Sequence, residues 1–430
     1  MKNFFQFEER GTTYRKETLA GVTTFLSMAY ILVVNPIILS QAGMDKGALF
    51  TATALSAIIG SLLIGILANY PVGIAPSMGL NSFFTFSVCI GMGIDWPIAL
   101  TGVFIAGIIF MILSLLKIRE KIINVIPQDL KHAIAGGIGF FVAFIGFKNS
   151  GLVIPNPDTF VSIGDLTSRG TALAAVGFVL TLMMLVRGVK GGIFYGMVIT
   201  TIIGMIVGAV EIPGSIVGKV PSLEPTFGVV FQHLDDIFTP EVLTVIFTFL
   251  FVAFFDTAGA LIAVASQAGI MKNNELPNAG RALLADSTSG VVGAILGTST
   301  TASFVESSAG VAVGGRTGFT SIIISVCFFI ALFFSPILSV ITPEVTAPAL
   351  IIVGALMATE VSNIDWKKLE VVIPAFITII MMPLTSSVAT GIALGFILYP
   401  FAMIAQRKAK EVHPIMYVLA ILFILYFLLV

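Results

Sequence analysis

Two carboxylic acids stand in strongly apolar stretches of the sequence, where charged side chains are otherwise rare. Asp256 lies in the run FLFVAFFDTAGALIAV, and Glu306 lies in GTSTTASFVESSAGVAVGG. An ionised carboxylate at the centre of a bilayer is costly, so such a residue faces the protein interior and marks a functional site. Both acids are therefore candidates for binding a polar ligand or carrying a coupled proton. The alternative for each is a packing role, in which it bonds to a neighbouring helix.

The composition indicates that these stretches belong to an integral membrane protein. Hydrophobic residues make up 57% of the 430 residues, charged residues make up 10%, and the mean hydropathy is +1.06. A soluble domain carries about 25% charged residues. Residues 1–16 contain no apolar core followed by a cleavage site, so we expect a charged cytoplasmic leader and no signal peptide.

Apolar segments of roughly 17–25 residues, the length a helix needs to cross a bilayer, recur along the whole chain. Fourteen spans are predicted near 17–41, 47–68, 78–92, 97–116, 130–149, 171–187, 192–210, 241–265, 280–297, 300–314, 317–336, 345–360, 369–384 and 386–405. A further apolar stretch, 414–430, either spans the membrane or lies at its surface.

The lysines and arginines support this topology. With a cytoplasmic N-terminus, only Lys46, Lys148, Arg169 and Lys219 of the 22 basic residues fall outside, which leaves 18 in the cytoplasm. The positive-inside rule is therefore obeyed. The sequence predicts a multi-pass protein of the cell membrane.

The chain also repeats itself, which predicts two related halves. Three pairs of similar segments occur in the same order: 40–43 with 266–269, 76–82 with 301–307, and 125–129 with 341–344. Each copy holds seven spans, an odd number, so the second copy enters from the opposite side of the membrane. Inverted repeats with binding at broken helices near the midplane are typical of secondary transporters.

The predicted organisation follows from this repeat. Its parts are a leader (1–16), a first seven-span repeat (17–210), an extracellular connector (211–240), a second seven-span repeat (241–405), and a cytoplasmic basic segment with a C-terminal apolar helix (406–430). The fold class is an all-α integral membrane protein with a 7+7 inverted repeat.

Spans three and ten are predicted to be broken, because both are short and rich in Gly, Pro, Ser or Thr. Non-helical backbone at membrane depth is tolerated only inside protein or along a cavity. The repeat offset makes Tyr30 the counterpart of Asp256, and Asn81 the counterpart of Glu306. We expect these four residues to surround one pseudo-symmetric site. Asn81 and Tyr30 have an alternative role in tying helices together.

Other polar and aromatic residues carry weaker signals. Asp286 is expected near the cytoplasmic start of span nine, where it either caps the helix or pairs with Arg281. His132 and Asp129 are expected at an interface between loop and helix. The candidates for stacking on a ligand are the phenylalanines beside the polar cluster, namely Phe83, Phe84 and Phe304.

The sequence contains no signature of an enzyme or of ATP-driven transport. It has no P-loop, no zinc-ligand spacing and no serine–histidine arrangement. We therefore expect no catalytic residues, no metal and no cofactor, with the energy for transport coming from an ion gradient. Two buried acids suit proton coupling.

Three motifs resemble a known family. The segments 75–84 (APSMGLNSFF), 255–259 (FDTAG) and 306–317 (ESSAGVAVGGRT) look like those of the AzgA-like purine transporters. These transporters belong to the nucleobase–cation symporter 2 superfamily, also called the nucleobase/ascorbate transporters. The resemblance covers nearly the whole chain.

The resemblance implies a core domain, 17–116 with 241–336, that moves against a gate domain, 130–210 with 345–405, in an elevator-like motion. It implies proton-coupled import of hypoxanthine, guanine or adenine, often by a homodimer, with no nucleic-acid partner. By motif position, the substrate site holds Asn81, Asp256 and Glu306, with Gly79 and Thr257 beside them.

Purine chemistry suits such a site. Carboxylates accept ring N–H groups, Asn81 and helix-end N–H groups donate to ring acceptors, and a phenylalanine stacks on the ring face. We expect Glu306 mainly to bind the base and Asp256 mainly to carry the proton, although the reverse division is open. The alternatives are a carrier of xanthine or uracil, an anion exchanger or channel of the same fold, and a membrane-embedded enzyme.

Overall fold

The computed structural model describes residues 3–116, 127–271 and 277–429. Within these ranges it leaves out the side chains at positions 251, 252, 254–259, 262, 263, 266, 338–340, 389, 425, 426, 428 and 429. The described chain is mostly helical. Seven of its helical stretches are long and apolar enough to cross a membrane, and shorter apolar helices lie between them.

The helices of the first predicted repeat follow the predicted apolar segments closely. They are α1 (Tyr14–Met28), α2 (Ile31–Ser40), α3 (Lys46–Leu67), α4 (Met78–Ser82), α5 (Trp96–Leu115), α6 (Gln128–Asn149), α7 (Arg169–Val186) and α8 (Gly192–Ile206). A π-helix, Phe83–Gly91, continues α4. Local capping fixes several starts, since Thr13, Asp45 and Ser168 accept hydrogen bonds from the first turns of α1, α3 and α7.

The second predicted repeat gives a matching set. It contains α9 (Pro240–Gln267), α10 (Ala279–Leu296), α11 (Ser307–Ala312), α12 (Gly318–Ala331), α13 (Ser335–Val340), α14 (Pro343–Ala358), α15 (Leu369–Leu384) and α16 (Val388–Ala405). Helix α17 (Pro414–Leu429) closes the described chain and packs against α16. Short 3-10 helices occupy Val229–Phe231, Leu234–Phe238, Leu332–Phe334, Thr359–Asn363 and Ala409–Glu411.

Four short strands, which the sequence analysis did not predict, complete the described elements. Strands β2 (Val153–Asn156) and β3 (Phe160–Ile163) form a hairpin in the α6–α7 connection. Strand β1 (Ile74–Pro76) precedes α4, and β4 (Thr301–Ser303) precedes α11. The prediction that spans three and ten are broken is confirmed, because each consists of a strand followed by a short helix.

The two broken segments meet directly, because β1 and β4 form an antiparallel pair. In its register Ile74 lies opposite Ser303, and Pro76 lies opposite Thr301. The sequence repeat also aligns Pro76 with Thr301. When a two-fold axis relates two antiparallel strands, the residue at the axis lies opposite its own repeat counterpart. The pairing is therefore the geometry that an inverted repeat requires.

The helices pack in two groups. Helix α12 packs on α1 and α3, α10 packs on α3 and α5, and α9 packs on α5. In the other group α14 packs on α6 and α7, while α15 packs on α6 and α16. The assignment of these groups to the core and gate domains implied by the resemblance remains a prediction.

A buried carboxylate joins the start of α1 to the start of α12. Glu17 is fully buried, and it accepts hydrogen bonds from the backbone N–H of Arg316 at 2.9 Å and from the hydroxyls of Thr317 and Thr320 at 2.8 and 2.6 Å. Carboxylates are favourable at helix N-termini, where N–H groups lack partners inside the helix. The contact fixes α12 against α1.

The leader also packs on this end of the protein. Phe5 and Phe7 are buried, with ring centroids 5.8 and 5.7 Å from the ring of Phe319. The Arg10 guanidinium donates to the carbonyls of Asn69 and Arg316, each at 2.8 Å. Burial lowers the pKa of Arg10 from its ordinary value, although an arginine stays protonated in proteins. The residues around Phe5 and Arg10 therefore form part of the packed structure.

Candidate functional site

The candidate site lies where the crossed strands give way to their helices. Asn81 belongs to α4, and Glu306 is the residue that precedes the first turn of α11. Tyr30 lies in the turn between α1 and α2, within the apolar helical stretch Tyr14–Ser40. Asn81 and Glu306 therefore follow the strands of the two broken segments, and Tyr30 belongs to the first span.

Tyr30 and Glu306 are in direct contact. The Tyr30 hydroxyl donates a hydrogen bond to Oε1 of Glu306 at 2.7 Å, and the tyrosine side chain is fully buried. Glu306 is half-buried. A carboxylate has acceptor sites for several donors, and the Tyr30 hydroxyl occupies one of them. The structure thus brings together two of the four residues that the repeat placed at one site.

Asn81 lies in a buried amide network. Its Nδ2 donates to Oδ1 of Asn35, and Asn35 Nδ2 donates to the hydroxyls of Thr53 at 2.8 Å and Thr298 at 3.0 Å. Asn81 and Asn35 are both fully buried. Asn81 Oδ1 has no hydrogen-bond partner in the described part of the chain. A buried acceptor of this kind is costly unless a bound molecule satisfies it.

Asn35 is a residue that the sequence analysis missed. It stands in the run ILVVNPIIL, where an amide among aliphatic side chains is a signal that could have found it. The following Pro36 has no N–H to donate within the helix, which loosens α2 at this point. The network links α2, α3 and α4 with the loop that leads into β4.

The candidate aromatic residues are packed in the core beside these groups. Phe83 is almost fully buried, and its ring centroid lies 5.1 Å from that of Phe249 on α9. Phe84 is also buried and lies 6.3 Å from the same ring. Phe304 is 7% exposed, and its backbone N–H donates to the carbonyl of Gly73 at 2.9 Å. A stacking role for these rings remains a prediction.

Gly79 is a close-approach position. A Cβ built at this residue would lie 2.5 Å from Cγ2 of Ile138 on α6, closer than real Cβ contacts come. Only a glycine lets α4 approach α6 this closely. The structure therefore gives Gly79 a packing role between the two helix groups, and its predicted place beside the substrate remains a prediction.

The predicted residues Asp256 and Thr257 lie on α9, whose backbone is described from Pro240 to Gln267. Their side chains are outside the described residues. The proposed proton role of Asp256 and the contact between Asp256 and the other three site residues therefore remain predictions.

Asp286 is a buried acid whose environment the sequence analysis did not foresee. It is 1% exposed, and the Ser303 hydroxyl of β4 donates to Oδ1 of Asp286 at 3.2 Å. The expectation of an interfacial cap or a pair with Arg281 is wrong about this environment, because Arg281 is exposed at the helix start whereas Asp286 is buried against β4. The missed signal was its place seven residues inside α10.

Asp286 borders a small cavity between α5, α9, α10 and the start of β4. The cavity has a volume of about 10 Å³, room for about one water molecule. Its other walls are mostly apolar and include Phe110, Phe249 and Thr301. Across the described residues, no group of three or more His, Cys, Asp or Glu side chains is placed to hold a metal ion.

Comparison with known proteins identifies a matching family and several relatives of this chain. A model of the permease family matches residues 15–394. The chain is 58% identical over 437 residues to the guanine/hypoxanthine permease PbuG of Bacillus subtilis, covering 100% of this chain and 99% of the relative. It is 40% identical over 433 residues to the adenine permease AdeQ of Escherichia coli, covering 100% of this chain and 96% of the relative.

Solved structures share the fold at low sequence identity. The transmembrane domain of the cyanobacterial bicarbonate transporter BicA has a TM-score of 0.64 and 17% identity, covering 88% of this chain and 96% of that domain. The structure of SLC26A9 also has a TM-score of 0.64, at 13% identity, covering 91% of this chain and 65% of that one. The helical arrangement described above is therefore a known transporter fold.

Proposed function

The chain belongs to the permease family, a family of transporters and not of enzymes, and on this premise we propose that it imports purine nucleobases in symport with protons across the cell membrane. Hypoxanthine and guanine are the favoured substrates, and adenine is the next candidate. Support comes from the relatives, which are guanine/hypoxanthine and adenine permeases by name.

The observation that carries the proposal is the Tyr30–Glu306 hydrogen bond at the start of the helix in the second broken segment. It holds a carboxylate at a helix start, and the Asn81 amide lies in the helix of the other broken segment. A purine is flat and neutral, with N–H donors and ring-nitrogen or carbonyl acceptors around its edge. A carboxylate and an amide are the groups that recognise such an edge by hydrogen bonds.

The proposed mechanism divides the work between the two acids. Glu306 accepts a base N–H group, and Asp256 takes up the coupled proton. Proton binding neutralises a buried acid, which lowers the cost of moving it through the membrane interior. The core domain then moves against the gate domain and carries the site across. The tight Gly79–Ile138 contact between the two helix groups is consistent with a sliding boundary there.

Uptake into proteoliposomes tests the proposal. With an inward proton gradient, labelled hypoxanthine should accumulate, an uncoupler should abolish the accumulation, and unlabelled guanine should compete. Adenine, xanthine and uracil complete the competition series. If labelled xanthine or uracil accumulates while labelled hypoxanthine does not, the substrate is a different nucleobase. If no nucleobase accumulates under any gradient, the proposal is wrong.

The proton role of Asp256 needs its own experiment. Asp256→Asn should retain exchange of labelled for unlabelled hypoxanthine but lose pH-driven accumulation, because an amide cannot take up the proton. Glu306→Gln should weaken hypoxanthine binding itself. Full pH-driven accumulation by Asp256→Asn would refute the assignment.

The anion-carrier alternative rests on the fold shared with BicA and SLC26A9. Low-identity likeness of fold does not transfer a substrate. A buried acid at the site opposes an inorganic anion unless it is protonated. Anion currents through the reconstituted protein in the absence of any nucleobase would favour this alternative.

A further inference from the structure

We infer that Asn35 fixes the hydrogen-bond polarity of Asn81, so that Asn81 presents its carbonyl oxygen to the substrate and accepts a ring N–H group of the base. The inference rests on the proposed function. It adds Asn35 as a positioning residue, and it makes Asn81 the hydrogen-bond acceptor in the contact with the base. The sequence analysis predicts Asn81 as a donor to ring acceptors, whereas the hydrogen bonds around it favour an acceptor role.

The direction is set by a hydroxyl on α3. Thr53 Oγ1 donates its single proton to the backbone carbonyl of Leu49 at 2.6 Å. The hydroxyl can therefore only accept from Asn35, which approaches it at 2.8 Å. The atom of Asn35 that faces Thr53 must be the amide nitrogen. The oxygen and nitrogen of an amide side chain are assigned from the surrounding hydrogen bonds. Here the assignment follows because the Thr53 hydroxyl already donates its proton to the Leu49 carbonyl.

The orientation of the Asn35 amide determines the orientation of the Asn81 amide. Both Nδ2 protons of Asn35 are used, by Thr53 at 2.8 Å and Thr298 at 3.0 Å. Its Oδ1 therefore faces Asn81, and only the Nδ2 of Asn81 can donate to it. The Asn81 side chain is thereby oriented with Oδ1 as its remaining acceptor.

That acceptor is buried. Asn81 is fully buried, and its Oδ1 lacks a partner in the described part of the chain. The hydroxyls of Ser82 and Thr85, on the same helical stretch, are buried and also lack partners among the described residues. Hydroxyls rotate to donate or accept, whereas the Asn81 oxygen accepts only. Of these three atoms, only the Asn81 oxygen is therefore restricted to ligands that donate a hydrogen bond.

A fixed acceptor discriminates between ring nitrogens. A nitrogen that carries hydrogen donates to Asn81, whereas a methylated nitrogen leaves the acceptor unpaired. Leaving a buried hydrogen-bonding group unpaired weakens binding by about tenfold or more. A methyl group also weakens binding by crowding, so the effect must be separated from size.

The experiment measures competition of labelled hypoxanthine uptake by hypoxanthine and by its N1-, N7- and N9-methyl derivatives. It compares the wild type with Asn35→Leu, which removes the orienting amide, and Thr53→Val, which removes the committed hydroxyl. Thr51→Val is the matched control, because Thr51 is also buried on α3 but its hydroxyl donates to the carbonyl of Pro221 at 2.9 Å. Expression and thermal stability are measured for every variant.

In the wild type, at least one N-methyl derivative should compete about tenfold less well than hypoxanthine. That penalty should shrink several-fold in Asn35→Leu and Thr53→Val, mainly because hypoxanthine binds less tightly, and should persist in Thr51→Val. An unchanged penalty in both variants would mean that it is steric and would overturn the inference. If Asn35→Leu fails to fold, the near-isosteric Thr53→Val decides. If wild-type protein transports no purine, the proposed function fails first, and the two failures are distinguishable.

Discussion

The hydroxyl of Tyr30 donates to Oε1 of Glu306 at 2.7 Å, although 276 positions separate the two residues in the chain. The bond joins the turn between α1 and α2 in the first repeat to the broken segment of the second. The β1–β4 pair and the Glu17 hydrogen bonds also join the two repeats. The Tyr30–Glu306 bond is therefore one of several contacts between the halves.

Tyr30→Phe tests that bond with minimal change in shape. A hydrogen bond to a charged group contributes about 1.5–3 kcal/mol, and its loss removes a contact that orients the Glu306 carboxylate. We expect the KM for hypoxanthine to rise about tenfold while protein yield is unchanged. Tyr70→Phe is the control, since this buried hydroxyl bonds to the carbonyl of Pro277 instead. A wild-type KM in Tyr30→Phe would show that Glu306 needs no orientation by Tyr30.

The repeat made the Tyr30–Glu306 meeting predictable from the sequence. The offsets make Tyr30 the counterpart of Asp256 and Asn81 the counterpart of Glu306, and they predict that these four residues surround one site. Gly, Pro and Ser clusters marked the broken segments, because such residues disfavour continuous helix. The sequence therefore predicted which elements meet.

Hydropathy does not report how far a helix is rotated about its own axis, and this limited the prediction of the site. The partner of Asn81 is Asn35 on α2, a choice that depends on helix packing and not on local sequence. Asp286 was placed near the membrane surface because charges at span ends are usually solvated. Its burial against β4 depends on the pairing of β1 with β4. The sequence pattern did not reveal this pairing.

Gly79→Ala tests the close approach of α4 to α6. The added Cβ would lie 2.5 Å from Cγ2 of Ile138, and overpacking of this kind costs about 1–3 kcal/mol. We expect a large loss of hypoxanthine uptake, because the helices can no longer approach. The double variant Gly79→Ala with Ile138→Ala removes the clashing methyl group and should recover much of the uptake. Failure of this rescue would place the effect of Gly79 elsewhere, such as at the substrate.

Glu17→Gln tests the carboxylate that joins α1 to α12. The amide keeps one acceptor oxygen, but its NH2 group then faces either the Arg316 N–H or the Thr317 and Thr320 hydroxyls, all of which donate to the carboxylate. Disrupting hydrogen bonds to a buried charged group costs about 1.5–3 kcal/mol. We expect a lower denaturation temperature of the purified protein, measured by intrinsic fluorescence. Glu8→Gln, at an exposed position, should leave that temperature unchanged.

Asp286→Asn tests a buried acid outside the predicted site. Its carboxylate accepts the Ser303 hydroxyl at 3.2 Å and so connects α10 with β4. Because β4 leads directly into Glu306 and α11, a change at Asp286 should displace the substrate site. We expect hypoxanthine uptake to fall about tenfold in Asp286→Asn, and to fall less in Ser303→Ala. The double variant should cost less than the sum of the single changes, since contacting residues couple by about 0.5–3 kcal/mol.

Ser287→Ala is the matched control, because this buried hydroxyl on the same helix bonds to carbonyls of its own helix, at 2.9 Å to Leu283 and 3.1 Å to Leu284. Additive effects of the Asp286 and Ser303 changes would contradict the coupling and leave Asp286 with a role independent of β4.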